Sequence, residues 1–189
     1  MRKTMKFAAL SATFALAAVA ACSPAFAQTP DQARTAHHDT EFLKQANQGS
    51  VDEIDLAQIA LKKSNDADVK DFAQKMIDDH TKLLDDMKPF DMEAGLKIPE
   101  HDSAATDAEK AKLEILTGKT FDKAYIKAMV EDHHKDLQAF IAEEKSTGYP
   151  AFKDAVGKGE KVVRGHLQMI DGIAKKNGVA PAPVPASGM

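Results

Sequence analysis

The stretch Phe121–Glu144, FDKAYIKAMVEDHHKDLQAFIAEE, decides the fold of this chain. At a helical repeat, Phe121, Ile126, Val130, Leu137, Phe140 and Ile141 share one apolar stripe. His133 falls inside the stripe, seven residues after Ile126 and seven before Phe140. His134 is rotated by about 100° onto the flank, beside Lys127, Glu131 and Gln138. A buried polar group without a partner costs about 1–3 kcal/mol. A helix that buries an imidazole near its midpoint therefore needs a partner from elsewhere in the chain.

Three other segments show the same repeat, each with one polar residue on its inward face. A helix over roughly Thr40–Lys63, with Asp39 or Thr40 as N-cap, turns Phe42, Ala46, Gly49, Glu53, Leu56 and Ala60 inward. Glu53 is the odd member, with small residues one and two turns before it. Asp66 caps a second helix whose stripe is Val69, Phe72, Ala73, Met76, Ile77, His80, Leu83, Leu84 and Met87. Pro89 removes an amide donor and predicts a kink, with continuation to about Ala94. A loop over Gly95–Ala105, a short helix over Asp107–Leu116 and a break at Thr117-Gly118 lead to the helix quoted above, capped by Thr120. Pro150 opens the last helix at a position that needs no N–H donor. Its inward series is Phe152, Val156, Gly159, Val163, His166, Ile170 and Ile173, and Asn177-Gly178 ends it.

No alternating β-strand run or hairpin signal occurs. Four long helices, joined by short turns within each pair and a long crossover between pairs, predict an all-α, up-down four-helix bundle over residues 39–176. Residues 28–38 read as a polar tether, with His37-His38 solvated, and 177–189 as a disordered Pro/Ala tail.

Residues 1–27 have the layout of a secretory signal: basic Arg2, Lys3 and Lys6, an apolar run from Phe7 to Ala21, and an Ala25-Phe26-Ala27 cleavage site. The run is too short and wrongly flanked to stay as a membrane span. The expected location is the periplasm or beyond. Val19-Ala20-Ala21-Cys22 also resembles a lipobox, and acylation of Cys22 would instead anchor the protein to the outer membrane. Cys22 is the only cysteine in the 189 residues, so any metal in the folded domain must be held by nitrogen and oxygen. Without residues 1–27 the chain carries 22 basic and 29 acidic residues, a net of −7, with no basic patch, which argues against nucleic acid.

At 1.5 Å rise per residue, the polar residues of each helical pair fall within about 6 Å of the same height. Glu53, His80, His133 and His166 are thus expected to meet at mid-bundle. Three imidazoles and a carboxylate suit one Zn²⁺, Fe²⁺, Cu²⁺ or Mn²⁺ ion. Asp79 and Asp132, each just before a histidine, are candidates to hold the second ring nitrogen. The same four residues also suit a metal-free hydrogen-bonded layer that fixes helix register. The di-iron pattern is incomplete, because the one Glu-x-x-His, Glu131–His134, lies on the flank and Val163 stands three before His166. No nucleophile–base arrangement, phosphate loop or organic-cofactor signature is present. Tyr125 reads as a packing residue. Binding is preferred to catalysis, with a mononuclear metal enzyme as the weaker alternative.

The segments Glu41-Phe42-Leu43, Val51-Asp52-Glu53, Phe72 to His80 (FAQKMIDDH), Phe121 to Tyr125 (FDKAY), His133 with Phe140, and His166-Leu167 resemble a bacterial ferritin-like family. It is catalogued as domain of unknown function 4142, and its members are often labelled exported or outer-membrane proteins. The resemblance spans about Asp39–Ala174. It implies a ferritin-like bundle in the cell envelope and points to Glu53, His80, His133 and His166 as motif positions, without supplying an activity. Where the family often has proline five residues before the last histidine, this chain has Lys161, which implies a straighter last helix.

Overall fold

The computed structural model describes residues 30–180. The signal segment and lipobox, and the tail from residue 181, lie outside them. Five helices follow in order: α1 (Pro30–Lys63), α2 (Ala67–Ala94), α3 (Ala104–Ile115), α4 (Gly118–Ser146) and α5 (Pro150–Asn177). No strand occurs among the described residues.

The helix ends follow from local chemistry. The Asp66 carboxylate accepts the Val69 N–H at 3.2 Å and starts α2. Ser103 does the same for Thr106 and starts α3. Gly95 and Gly178 take the left-handed conformation (φ 68° and 64°) that closes α2 and α5. In each case the next N–H reaches back to the helix, Leu96 to the Asp91 carbonyl and Val179 to that of Ala174. Pro89 stands inside α2, which continues to Ala94 as expected.

Three boundaries differ from the sequence reading, one of them the start of α3, which begins at Ala104 behind its Ser103 cap rather than at Asp107. α1 begins at Pro30, so the expected tether is helical through His37 and His38, and Asp39 is interior rather than a cap. Pro30 fits a first helical turn, where its missing N–H costs nothing. α4 begins at Gly118, before the expected Thr120 cap.

α1 packs on α2, α4 on α5, and the two pairs meet through α1–α4 and α2–α5. The crossover runs back along α1: Gln48 donates to the His101 carbonyl at 3.1 Å, and Lys63 reaches the Glu114 carbonyl at the far end. There the Ser64 hydroxyl donates to Asp122 at 2.6 Å and ties the end of α1 to the start of α4. At the other end, Thr147 donates to Asp39 at 2.9 Å. Every neighbouring pair among the four long helices is therefore antiparallel, and α3 runs parallel to α1.

The core is split in two. One cluster gathers Leu56, Phe72, Met76, Tyr125, Ile126, Met129 and Ile170. The other gathers Phe42, Leu83, Met87, Phe140, Phe152, Val156 and Val163. In sequence, each helix passes from one cluster to the other across its polar residue. Tyr125 is fully buried and stacks on Phe121 at 6.3 Å, as a packing residue does. Gly159 allows α5 to approach α4, since a Cβ there would lie 2.4 Å from the Phe140 ring.

A histidine and glutamate layer between the two cores

Each helix of the bundle contributes one residue to the layer: Glu53 from α1, His80 from α2, His133 from α4 and His166 from α5. Their exposures are 4, 3, 0 and 0%. One nitrogen from each of the three rings lies within 4.8 Å of the other two. Phe72 closes one side, with its ring edge-on to His133 (6.0 Å) and His166 (6.2 Å).

The outer contacts fix two tautomers. His133 Nδ1 is 2.9 Å from the Met129 carbonyl and 3.2 Å from Glu53 Oε1; both are acceptors, so Nδ1 carries the hydrogen. His166 Nε2 is 2.8 Å from Asp79 Oδ2 and carries its hydrogen for the same reason. Neutral His133 and His166 therefore turn bare nitrogens, Nε2 and Nδ1, toward each other at 3.4 Å. Two lone pairs do not bond; a proton or a metal between them resolves the contact. His80 is adaptable: Nδ1 is 3.2 Å from the Ser50 hydroxyl, which gives or takes a hydrogen, and Nε2 is 3.0 Å from Glu53 Oε2.

Glu53 lies at ion-pair distance from two rings, yet neither of its oxygens, nor His80 Nε2, has an aligned hydrogen bond among the described residues. Burial pushes the Glu53 carboxyl up, but His133 and His80 pull it further down, to about 2. Burial lowers His133 against the pull of Glu53. Burial, with His80 adding to it, lowers His166 to about 4 although Asp79 opposes this. Burial raises the Asp79 carboxyl, and Lys75 at 2.7 Å together with His166 brings it below its usual range.

The structure brings all four predicted residues together. Of the two supporting aspartates, Asp79 serves His166 across the bundle rather than its neighbour His80, because adjacent residues on a helix point about 100° apart. Asp132 pairs with Lys135 at 3.0 Å and has no hydrogen bond to a ring among the described residues. Glu131 and His134 stay on the partly exposed flank. Ser50 and the Met129 carbonyl went unnoticed in the sequence, as did Asp136. Ser50 stands three before Glu53 and Asp136 three after His133, so helical spacing carried the signal.

A cavity of about 60 Å³, room for about two waters, borders Glu53, His80 and Asp136. Ala46 and Gly49, the small residues before Glu53, leave this space open. Burial, and then Glu53, raises the Asp136 carboxyl well above its usual value.

A family model described as "Domain of unknown function (DUF4142)" matches residues 24–173. The chain belongs to the DUF4142 family. No curated protein matches it. Two solved structures share its fold. A DUF305 fragment from Deinococcus radiodurans is 16% identical with a TM-score of 0.65, covering 74% of this chain and 96% of its own. A candidate secreted DUF305 protein from Streptomyces coelicolor is 14% identical with a TM-score of 0.66, covering 77% and 96%. At these identities the likeness of the DUF4142 protein to its neighbours concerns the fold alone, an all-α bundle of the ferritin-like, up-down type. No helix among its described residues is long and apolar enough to cross a membrane.

Proposed function

We propose that this protein is exported and holds one transition-metal ion in the bundle core, with a role in metal handling or stress protection in the cell envelope. His80, His133 and His166 supply one nitrogen each. Glu53, expected from the sequence as a fourth ligand, lies instead against the outer nitrogen of His133 and Nε2 of His80 and supplies the negative charge. The observation that carries this reading is the 3.4 Å approach of two bare nitrogens on rings whose other nitrogens are already held. Two nitrogens on a tetrahedral zinc, each about 2.0–2.1 Å from it, stand about 3.4 Å apart. The spacing suits a shared ion and is long for an N–H···N bond. Partners on the far side of metal-binding rings are the usual means of fixing their orientation. The donor set suits Zn²⁺, Fe²⁺, Cu²⁺ or Mn²⁺.

Export is supported by the basic start, apolar run and Ala-x-Ala site of residues 1–27, and by the name of the Streptomyces neighbour. Periplasmic release after Ala27 is preferred to anchoring through Cys22.

The second reading is a metal-free layer in which Glu53 and the rings share protons. The 3.0 and 3.2 Å contacts of Glu53 favour it. Thermal unfolding of chelator-treated protein, with and without added Zn²⁺, separates the two. Ligand at about a hundred times its Kd adds about 2.7 kcal/mol, so the first reading expects Tm to rise by several degrees, reversed by chelator. An unchanged Tm at saturating metal supports the second.

A further inference from the structure

A second cluster of donors lies at the C-terminal end of α4, about 15 Å from His133 at ten residues of helical rise. His38 Nδ1 is 2.7 Å from Glu143 Oε2, and one donor atom each from His38, Asp39 and Glu143 lies within 4.8 Å of the others. Glu143 is 1% exposed, and neither of its oxygens has an aligned hydrogen bond among the described residues; nor does Asp39 Oδ1. Thr147 holds the other Asp39 oxygen at 2.9 Å and so orients the free one. Two carboxylates this close, one fully buried, need a proton or a cation between them.

We propose that His38, Asp39 and Glu143 form a second cation site, taking a divalent first-row transition metal at the junction of α1 and α4. One imidazole and two carboxylates make a mixed N/O set suited to Zn²⁺ or Mn²⁺ and too sparse in oxygen for Ca²⁺, which takes 6–8 ligands. A cavity of about 240 Å³ reaches Asp39 between Leu43, Phe90 and Tyr149 and admits water to complete the coordination. Burial, reinforced by Asp39, raises the Glu143 carboxyl to about 8. The N-terminal turns of α1, from which His38 projects, would then be clamped to the bundle by the ion.

Zn²⁺ titration by calorimetry tests this on the purified protein and three variants: His38→Ala, Glu143→Gln and His133→Ala/His166→Ala. His38 is largely exposed, so its replacement leaves the core intact. The expected result is one equivalent lost, or at least tenfold weaker, in both His38→Ala and Glu143→Gln, and retained in the double variant. That pattern is independent of the central layer, whose failure would remove the other equivalent only. Binding that is the same in His38→Ala and Glu143→Gln as in the parent protein overturns the proposal.

Discussion

His133 Nε2 and His166 Nδ1 face each other at 3.4 Å, while the far nitrogen of each ring is bound to an acceptor. The arrangement divides the bundle core into two apolar halves and sets what can be tested.

The Asp79 contact orients His166. Removing a partner of this kind typically lowers metal affinity by about 10–100-fold. Asp79→Asn is expected to weaken Zn²⁺ binding by that range, read by competition with a chromophoric chelator. Asp132→Asn, whose carboxylate meets Lys135, is expected to bind like the parent. Equal effects of the two substitutions would show that the Asp79 contact does not support the ring.

Glu53→Gln keeps the shape of the side chain and removes the charge facing His80 and His133. Helix content by circular dichroism is expected to hold, with Zn²⁺ affinity falling at least tenfold. Unchanged affinity would show that the Glu53 charge does not support the ion.

In the metal-free protein the buried histidines oppose folding in acid. The Glu143 and Asp136 carboxyls, raised chiefly by burial, bind protons in the fold first and favour it, so the histidine contribution is read against a variant that lacks it. His166 is held at about 4 in the fold, below its ordinary 6.5, so the unfolded chain binds the extra proton first. Its contribution is complete above about pH 6.5 and is lost as pH falls toward 4. His133, also lowered, acts in the same direction. Glu53, lowered to about 2, adds a second loss from about pH 4.5 downward. With a chelator present, the urea midpoint should fall further, or rise less, from pH 7 to pH 5 in the parent than in the His133→Ala/His166→Ala variant. The same change in both would contradict the assigned protonation.

Gly159 and Gly165 provide a contrast within α5. A Cβ on Gly159 would meet the Phe140 ring at 2.4 Å and Leu83 at 3.2 Å, whereas one on Gly165 meets nothing within 4 Å. Overpacking costs about 1–3 kcal/mol, while helical Gly→Ala in open space gains about 0.4–1 kcal/mol. Gly159→Ala should lower Tm and Gly165→Ala should raise it.

Most of the bundle was legible because each long helix carries an apolar stripe broken by one polar residue. The start of α1 was not, since residues 30–38 are polar and show no stripe; their helix is an extension of one nucleated by packing further on. Glu53, His80, His133 and His166 were readable from register. Their partners were harder to see. Asp79 was assigned by adjacency in sequence, whereas the bond crosses to another helix. His38, in a polar run, gave no sign that Glu143 would be buried beneath it, because that contact joins residues 105 apart.

Elemental analysis of the purified protein beside a His133→Ala/His166→Ala variant tests the shared ion most directly. The account predicts about one equivalent of transition metal per chain that depends on these two rings and disappears from a variant still helical by circular dichroism. A parent protein that retains no metal after purification in metal-replete buffer, or a variant that retains the same amount, would contradict it.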